Sequence, residues 1–309
     1  MLHPFVLLGA LRSGTTVFRL MLGSNEEINA PGETDYMFDY LKRTEHSDRW
    51  TCDVEALRND RAFQSQNLGI LNTEDGSEIT RNLADQLSRR AQGRLCLCVH
   101  GNVEKVSAIF ADSKIVHLIR DPRDVANSCI GMGWAGNIYY GIDQWLETEE
   151  NWDSFAPKRD PQRVLEIYFE ELITNPQAEL ERVCKFLGVP YSPAMLNYST
   201  RTTYGPPDPS TIQQWKSKLR PREVALVELK TKKLLLSRNY KLSGYPLKPP
   251  GVGEKLSLFC ANKIFKWKFG LRRYGIANFI LEKITRKLLK PFHHVYVERF
   301  NKIDKRYLK

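Results

Sequence analysis

The sequence predicts an α/β fold: a P-loop-like three-layer sandwich with a central parallel sheet, followed by a basic helical C-terminal extension. Three observations predict it. A glycine-rich turn, Gly9 to Thr16, joins an apolar run to a helical pattern near the N-terminus. A second buried strand, Lys114 to Ile119, runs directly into a helix start at Arg120 to Ser128. Strand-like and helix-like segments then alternate over roughly 240 residues, the pattern of a parallel sheet covered on both faces.

The first strand is the apolar run Phe5 to Leu8. Gly9-Ala10-Leu11-Arg12-Ser13-Gly14-Thr15-Thr16 follows with the G-x-x-x-x-G spacing of a phosphate-binding loop, and Val17, Phe18, Leu20 and Met21 then repeat at helical spacing. Backbone N–H groups at such a helix start face an oxyanion, and the helix dipole favours it. Thr15 stands where a nucleotide triphosphatase carries Lys. The cation sits instead inside the loop as Arg12, whose planar fork suits a tetrahedral oxyanion. Arg12, Ser13, Gly14, Thr15 and Thr16 are therefore candidate anion ligands. A turn without a ligand is the plainer reading, but strand, two glycines, Arg and helix agree on the anion site.

Pro31-Gly32-Glu33-Thr34 comes next. Glu33 suits either a helix cap before Tyr36, Phe38 and Leu41 or a free carboxylate for proton abstraction. Residues 35 to 92 read as mostly helical and polar, an insertion facing an acceptor. Leu95 to Val99 reads as a strand, in which alternation puts Cys96 and Cys98 on one face. His100 ends it, as a hydrogen-bonded strand-end histidine or as an acid/base group near neutral pH. In the second strand-helix join, Pro122 and Asp124 suit a first helical turn. Arg120 then lies at the carboxyl end of a parallel strand, where open α/β sheets bind ligands, with Ser128 two turns further along. The alternative is that Arg120 and Asp124 pair at a helix end. Ile142 to Phe155 reads as an amphipathic helix and Arg163 to Phe169 as a strand. Pro176 to Leu187 reads as a helix stopped by Gly188, and Pro221 to Leu236 as another.

Composition sets the outer bounds. The chain has 309 residues, 42% of them hydrophobic, enough for one full core plus an extension. A Pro/Gly-rich stretch, Tyr245 to Gly253, divides a domain over 1–245 from an extension over 246–309. The net charge of +10 is concentrated there: residues 254–309 hold 15 Lys/Arg against 4 Asp/Glu, which leaves the rest near neutrality. Ile276, Phe279, Ile280, Ile284 and Leu288 fall at helical spacing, with Lys283, Arg286, Lys287 and Lys290 largely opposite. Such a helix docks on the domain, lies on an anionic membrane, or holds an acidic acceptor. Nucleic acid is not expected, because no readout motif appears. Six scattered cysteines without C-x-x-C pairs or clustered His predict reduced thiols and no metal site. With no apolar run of ~20 residues and no secretory leader, the expectation is a cytoplasmic protein, peripheral at a membrane if the tail binds one.

Taken together, the two loops resemble those of the sulfotransferases that use 3′-phosphoadenosine 5′-phosphosulfate (PAPS), over about residues 4 to 220. Arg12-Ser13-Gly14-Thr15-Thr16 is similar to their 5′-phosphosulfate loop. Ile119-Arg120-Asp121-Pro122-Arg123-Asp124-Val125 with Ser128 is similar to their 3′-phosphate site. Arg in the loop places the resemblance in the bacterial and tyrosylprotein-type branch. The resemblance implies PAPS as co-substrate, 3′-phosphoadenosine 5′-phosphate (PAP) as product and no metal. It implies that Glu33, in a Gly-Glu-Thr segment, is the catalytic base. It also implies that Trp215 and Lys216 end a substrate-capping loop, with both as candidate cofactor contacts. The chain departs from the family pattern in three places. His100 follows the strand where many relatives carry Lys, Phe169 replaces a Tyr, and Gln213 replaces a Ser. The acceptor expected first is a carbohydrate hydroxyl, for which the basic tail suits an anionic glycan. A tyrosine in an acidic peptide comes second and a lipid or small-molecule alcohol third. A P-loop kinase or NTPase and a membrane-binding adaptor are the readings from other classes; no Walker-B Asp supports the kinase.

Overall fold

The computed structural model describes residues 3–44, 49–156, 159–288 and 293–305. The chain opens with β1 (Phe5–Gly9), α1 (Thr15–Leu22) and the short β2 (Ile28–Asn29). An insertion follows: α2 (Tyr36–Asp39), β3 (Leu41–Arg43), β4 (Trp50–Cys52), α3 (Val54–Asn59), α4 (Arg61–Gln66) and α5 (Gly76–Ser88). The alternation then resumes with β5 (Arg94–Val99), α6 (Val103–Ile109), β6 (Ile115–Ile119) and α7 (Pro122–Gly131). Helices α8 (Ile138–Gly141) and α9 (Asp143–Phe155), strand β7 (Val164–Tyr168), and α10 (Phe169–Thr174), α11 (Pro176–Leu187), α12 (Trp215–Lys218) and α13 (Pro221–Ser237) complete the domain. The chain ends in α14 (Val252–Tyr274), α15 (Ile276–Leu288) and α16 (His293–Lys305).

Five strands pair in parallel in the order β2-β5-β1-β6-β7. The central strand shows why three layers form. Val6 and Leu8 point into one core with Leu97, Val99, Ile115 and the insertion's Phe38 and Leu83. Phe5 and Leu7 point into the other with Cys96, Cys98, Phe18, Leu180 and Val183. Period-two alternation of wholly apolar strands thus buries both faces. Cys96 and Cys98 share a face, as alternation requires, and burial pushes the Cys96 thiol up to about 12. A third core joins α7, α8, α9 and α13 through Val125, Ile138, Trp145 and Val227.

Helix boundaries follow local chemistry. Asp121 accepts the Arg123 N–H and Pro122 takes the first turn of α7. Gly188, at φ 81°, stops α11. Two details lie beyond the sequence pattern. The mostly helical insertion also holds an antiparallel hairpin, β3 and β4, whose three-residue strands are too short to show a periodicity. In α15, Phe279 turns inward, whereas Ile276, Ile280, Ile284 and Leu288 stay exposed. The apolar stripe therefore does not dock on the domain. Lys290 lies outside the described residues.

Candidate functional site

The loop after β1 is shaped by two residues in the left-handed region, Arg12 at φ 72° and Gly14 at φ 97°. Gly14 has no substitute: a Cβ there would lie 2.3 Å from the Phe169 ring. The Arg12 side chain crosses to the second motif, where its Nε donates to Ser128 Oγ at 2.9 Å. Arg120 approaches from the end of β6. Its Nη1 donates to the Arg12 carbonyl at 3.2 Å and its Nη2 to the Thr211 carbonyl at 2.8 Å. The guanidinium lies 4.1 Å over the Phe169 ring. Arg120 makes no hydrogen bond to Asp124, whose Oδ1 accepts the Trp215 N–H at 2.8 Å, so the helix-end pairing is not what forms.

This arrangement fits an oxyanion. Ser13 Oγ and Arg120 Nε are buried without a hydrogen-bond partner among the described residues. Both lie with Arg12 at the amino end of α1, where backbone N–H groups and the helix dipole favour negative charge. Unsatisfied buried donors of this kind cost ~1–3 kcal/mol each unless a ligand takes them. Thr16 is half-buried in the first turn of α1.

Next to the loop lies a second cluster. Thr34 donates both its backbone N–H and its hydroxyl to the Cys98 carbonyl, at 2.8 and 3.0 Å. That clamp bridges Glu33 to the end of β5 and leaves its exposed carboxylate in the cleft. Glu33 caps no helix among the described residues: Asp35 is the N-cap of α2, without a side-chain cap bond. Asp35 turns instead to His100. Its Oδ1 accepts the His100 backbone N–H and its Oδ2 lies against Nδ1, each at 2.7 Å. His100 Nε2 lies 3.0 Å from Thr15 Oγ1, inside the phosphate loop. Burial disfavours the imidazolium, but the Asp35 bond and charge, with Glu33 and Asp39 behind, outweigh it and raise the pKa above 6.5. A protonatable group thus stands at the end of β5, within hydrogen-bond distance of Thr15.

The segment before α13 is anchored rather than loose. Trp215 is 8% exposed, its Nε1 donates to Asp121 Oδ2 at 3.1 Å, and Arg123 stacks 3.8 Å from its ring. Trp215 thereby holds the stretch whose Thr211 carbonyl meets Arg120. Lys216 is exposed and donates to Gln213 Oε1 at 2.6 Å; no described contact joins it to the loop.

Sequence reasoning missed Asp35 and the role of Phe169. The signal for Asp35 was present, since residues two apart in extended chain share a face and Glu33 lay two before it. Phe169 registered only as a departure, although it is the platform under Arg120.

The cleft beside these groups has a volume of about 870 Å³. Glu33, Asp35, Asp39, Glu104 and Glu147 line it, with Lys105 and His100 as the basic side chains. Lys105 Nζ is already turned to the Phe38 carbonyl at 2.9 Å. No cluster of His, Cys, Asp and Glu among the described residues is arranged to hold a metal ion.

A parallel α/β sandwich with an Arg-bearing glycine loop after β1, and a second Arg and Ser on the neighbouring β6–α7 unit, has the architecture of the P-loop-like class. The chain belongs to the sulfotransferase family, whose model matches residues 4–193. It is 22% identical over 209 residues to a protein-tyrosine sulfotransferase of Drosophila melanogaster, and 24% identical over 209 residues to protein-tyrosine sulfotransferase 2 of Gallus gallus. Each alignment covers 63% of this chain, but only 40% and 54% of those proteins. In fold, the sulfotransferase domain of the Synechococcus PCC 7002 olefin synthase superimposes with a TM-score of 0.61 at 19% identity, covering 78% of this chain and 97% of that one. The sulfotransferase domain of the curacin biosynthetic pathway gives 0.57 at 22%, covering 78% and 99%.

Proposed function

We propose that this protein transfers a sulfuryl group from PAPS to the hydroxyl of an uncharged or cationic acceptor. The observation that carries the reading is the convergence of Arg12, Ser128 and Arg120 on one loop, with Glu33 and His100 beside it. PAPS supplies the sulfuryl group and leaves as PAP.

The residues divide the work. Arg12, Ser13, Gly14, Thr15 and Thr16 hold the 5′ end of the nucleotide, and Arg120 with Ser128 its 3′-phosphate. Ser13 Oγ and Arg120 Nε, which lack partners among the described residues, donate to these anions. Glu33 takes the acceptor's proton at a carboxylate oxygen, because it stands free in the cleft at the edge of β5. His100, whose charged form Asp35 favours, places a ring N–H donor beside Thr15. Trp215 fixes the segment that completes the Arg120 contact; Lys216 remains a cofactor contact only if that segment closes.

The acidic lining bears on the acceptor. An anionic glycan or an acidic tyrosine peptide would meet Glu33, Asp39, Glu104 and Glu147 with like charge. The protein-tyrosine sulfotransferase relatives favour a phenolic hydroxyl, and the lining favours one without acidic flanks.

Calorimetric titration with PAP, with ADP and ATP–magnesium as controls, tests the cofactor. PAP is expected to bind tightest, and Arg12→Ala and Arg120→Ala to weaken it by at least ~10-fold each. Preference for ATP–magnesium, or an unchanged PAP affinity in Arg120→Ala, would overturn the assignment. Transfer from PAPS to a neutral phenol against an acidic tyrosine peptide then tests the acceptor.

A further inference from the structure

The C-terminal helices turn their apolar side outward. Helix α14 docks through one stripe. Asn262 Oδ1 accepts the Gly136 N–H and Asn137 Nδ2 donates to the Leu258 carbonyl, each at 2.7 Å. Arg222 grips Glu254 with two bonds, at 2.8 and 2.5 Å. Phe265 and Phe269 pack so close to Gly136 and Gly133 that no Cβ fits there. Glu254, Leu258, Asn262, Phe265 and Phe269 recur at helical spacing, so they form one side of the helix. On the other side Leu256, Ile264 and Trp267 are 63%, 54% and 50% exposed.

Helix α15 continues the pattern. Phe279 packs inward against Gly270 and the edge of Trp267. Ile276, Ile280, Ile284 and Leu288, spaced by four, stay out, the first and last at 68% and 79%. Among the described residues fourteen large hydrophobic side chains are exposed, and ten of them lie between 252 and 288. Such a concentration marks an interaction surface.

Charge identifies the partner. Lys263, Lys266 and Arg286 are exposed on the same helices, and Lys283 Nζ sits 5.6 Å from the Trp267 ring and 4.6 Å from that of Phe279. Lysine stems beside an apolar face, with the ammonium at its rim and an indole among them, suit a headgroup boundary. Residues 254–309 carry 15 Lys/Arg against 4 Asp/Glu, so a second copy of this chain would bring like charge to like. No helix of the described residues is long and apolar enough to cross a membrane, so the surface lies on a bilayer rather than spanning it. We propose that residues 252–288 form an interfacial docking surface for an anionic lipid bilayer. Leu256, Ile264, Trp267, Ile280 and Ile284 enter the acyl boundary, and the lysines meet the headgroups. The proposal does not depend on the acceptor or on the chemistry of the cleft.

The test is flotation of the full chain with vesicles of phosphatidylcholine, and of phosphatidylcholine with about 30% phosphatidylglycerol. Binding is expected to the anionic vesicles only and to weaken with salt. Ile280→Glu with Ile284→Glu, both surface positions, is expected to lower it on the order of 10-fold or more with an unchanged melting temperature. Lipids with brominated acyl chains are expected to quench the unmodified protein's tryptophan fluorescence, and Trp267→Phe to remove most of that quenching. Three results would overturn the proposal: no flotation with anionic vesicles, flotation and quenching indifferent to these variants, or a dimer in sedimentation that the double variant dissolves while no vesicle binding is seen.

Discussion

Asp35 holds His100 twice, through the backbone N–H and through Nδ1, both at 2.7 Å. The histidine is thereby fixed with Nε2 toward Thr15 of the phosphate loop. Its pKa is raised from 6.5, so the stability it contributes is fully present below about 6.5 and is lost as pH rises through the higher folded value. His100→Asn is expected to cost ~1–2 kcal/mol near pH 6, with the gap to the parent narrowing as pH rises through the folded value. Urea unfolding across that range measures it; a gap independent of pH would mean that the pair is not ionised.

Glu33 makes no side-chain bond among the described residues and lines the cleft. Glu33→Gln keeps shape and removes the base. Sulfuryl transfer is expected to fall by roughly 10²- to 10⁴-fold, with PAP affinity within about twofold of the parent. Single-turnover transfer beside a PAP titration separates the two; a parallel loss of both would assign Glu33 to nucleotide binding.

Gly14 is constrained by its φ of 97° and by the Phe169 ring. Gly14→Ala is expected to destabilise by about 1–3 kcal/mol and to weaken PAP. Adding Phe169→Leu relieves the collision but not the dihedral, so only part of the melting temperature should return. Full recovery would mean that the backbone strain is negligible.

A buried ion network behind the site offers a control. Glu149 is fully buried and accepts from His117 Nε2 at 3.1 Å and from Arg238 at 3.0 and 3.1 Å. Burial pushes its carboxyl up, but His117 and Arg238 outweigh that and hold it below 4.5. Its stabilisation is therefore present above about 4.5 and lost as pH falls through the lower folded value. Glu149→Ala removes the carboxylate that His117 and Arg238 share, leaving Arg238 to Asp153 at 2.6 Å and His117 to Glu166 at 3.8 Å, and is expected to cost about 3 kcal/mol by urea unfolding, without a direct effect on the residues of the loop after β1.

The sequence by itself determined the sheet and the phosphate loop. Wholly apolar strands such as Phe5 to Leu8 must be covered on both faces, and the left-handed turn at Gly14, φ 97°, favours glycine on local grounds. It also placed Arg12, Arg120 and Ser128 at strand-helix joins, because the register of a parallel sheet brings such joins to one edge. Only the tertiary structure decided their partners. Arg12 reaches Ser128 across 116 positions, and Trp215 was anchored by Asp121 and Asp124 from a distant helix. It also decided which face of α15 is buried, because a helical stripe states that a helix has two sides but not which one meets protein. Phe279 won the inward place because Gly270 left room for its ring, a fit between two helices that no local pattern encodes.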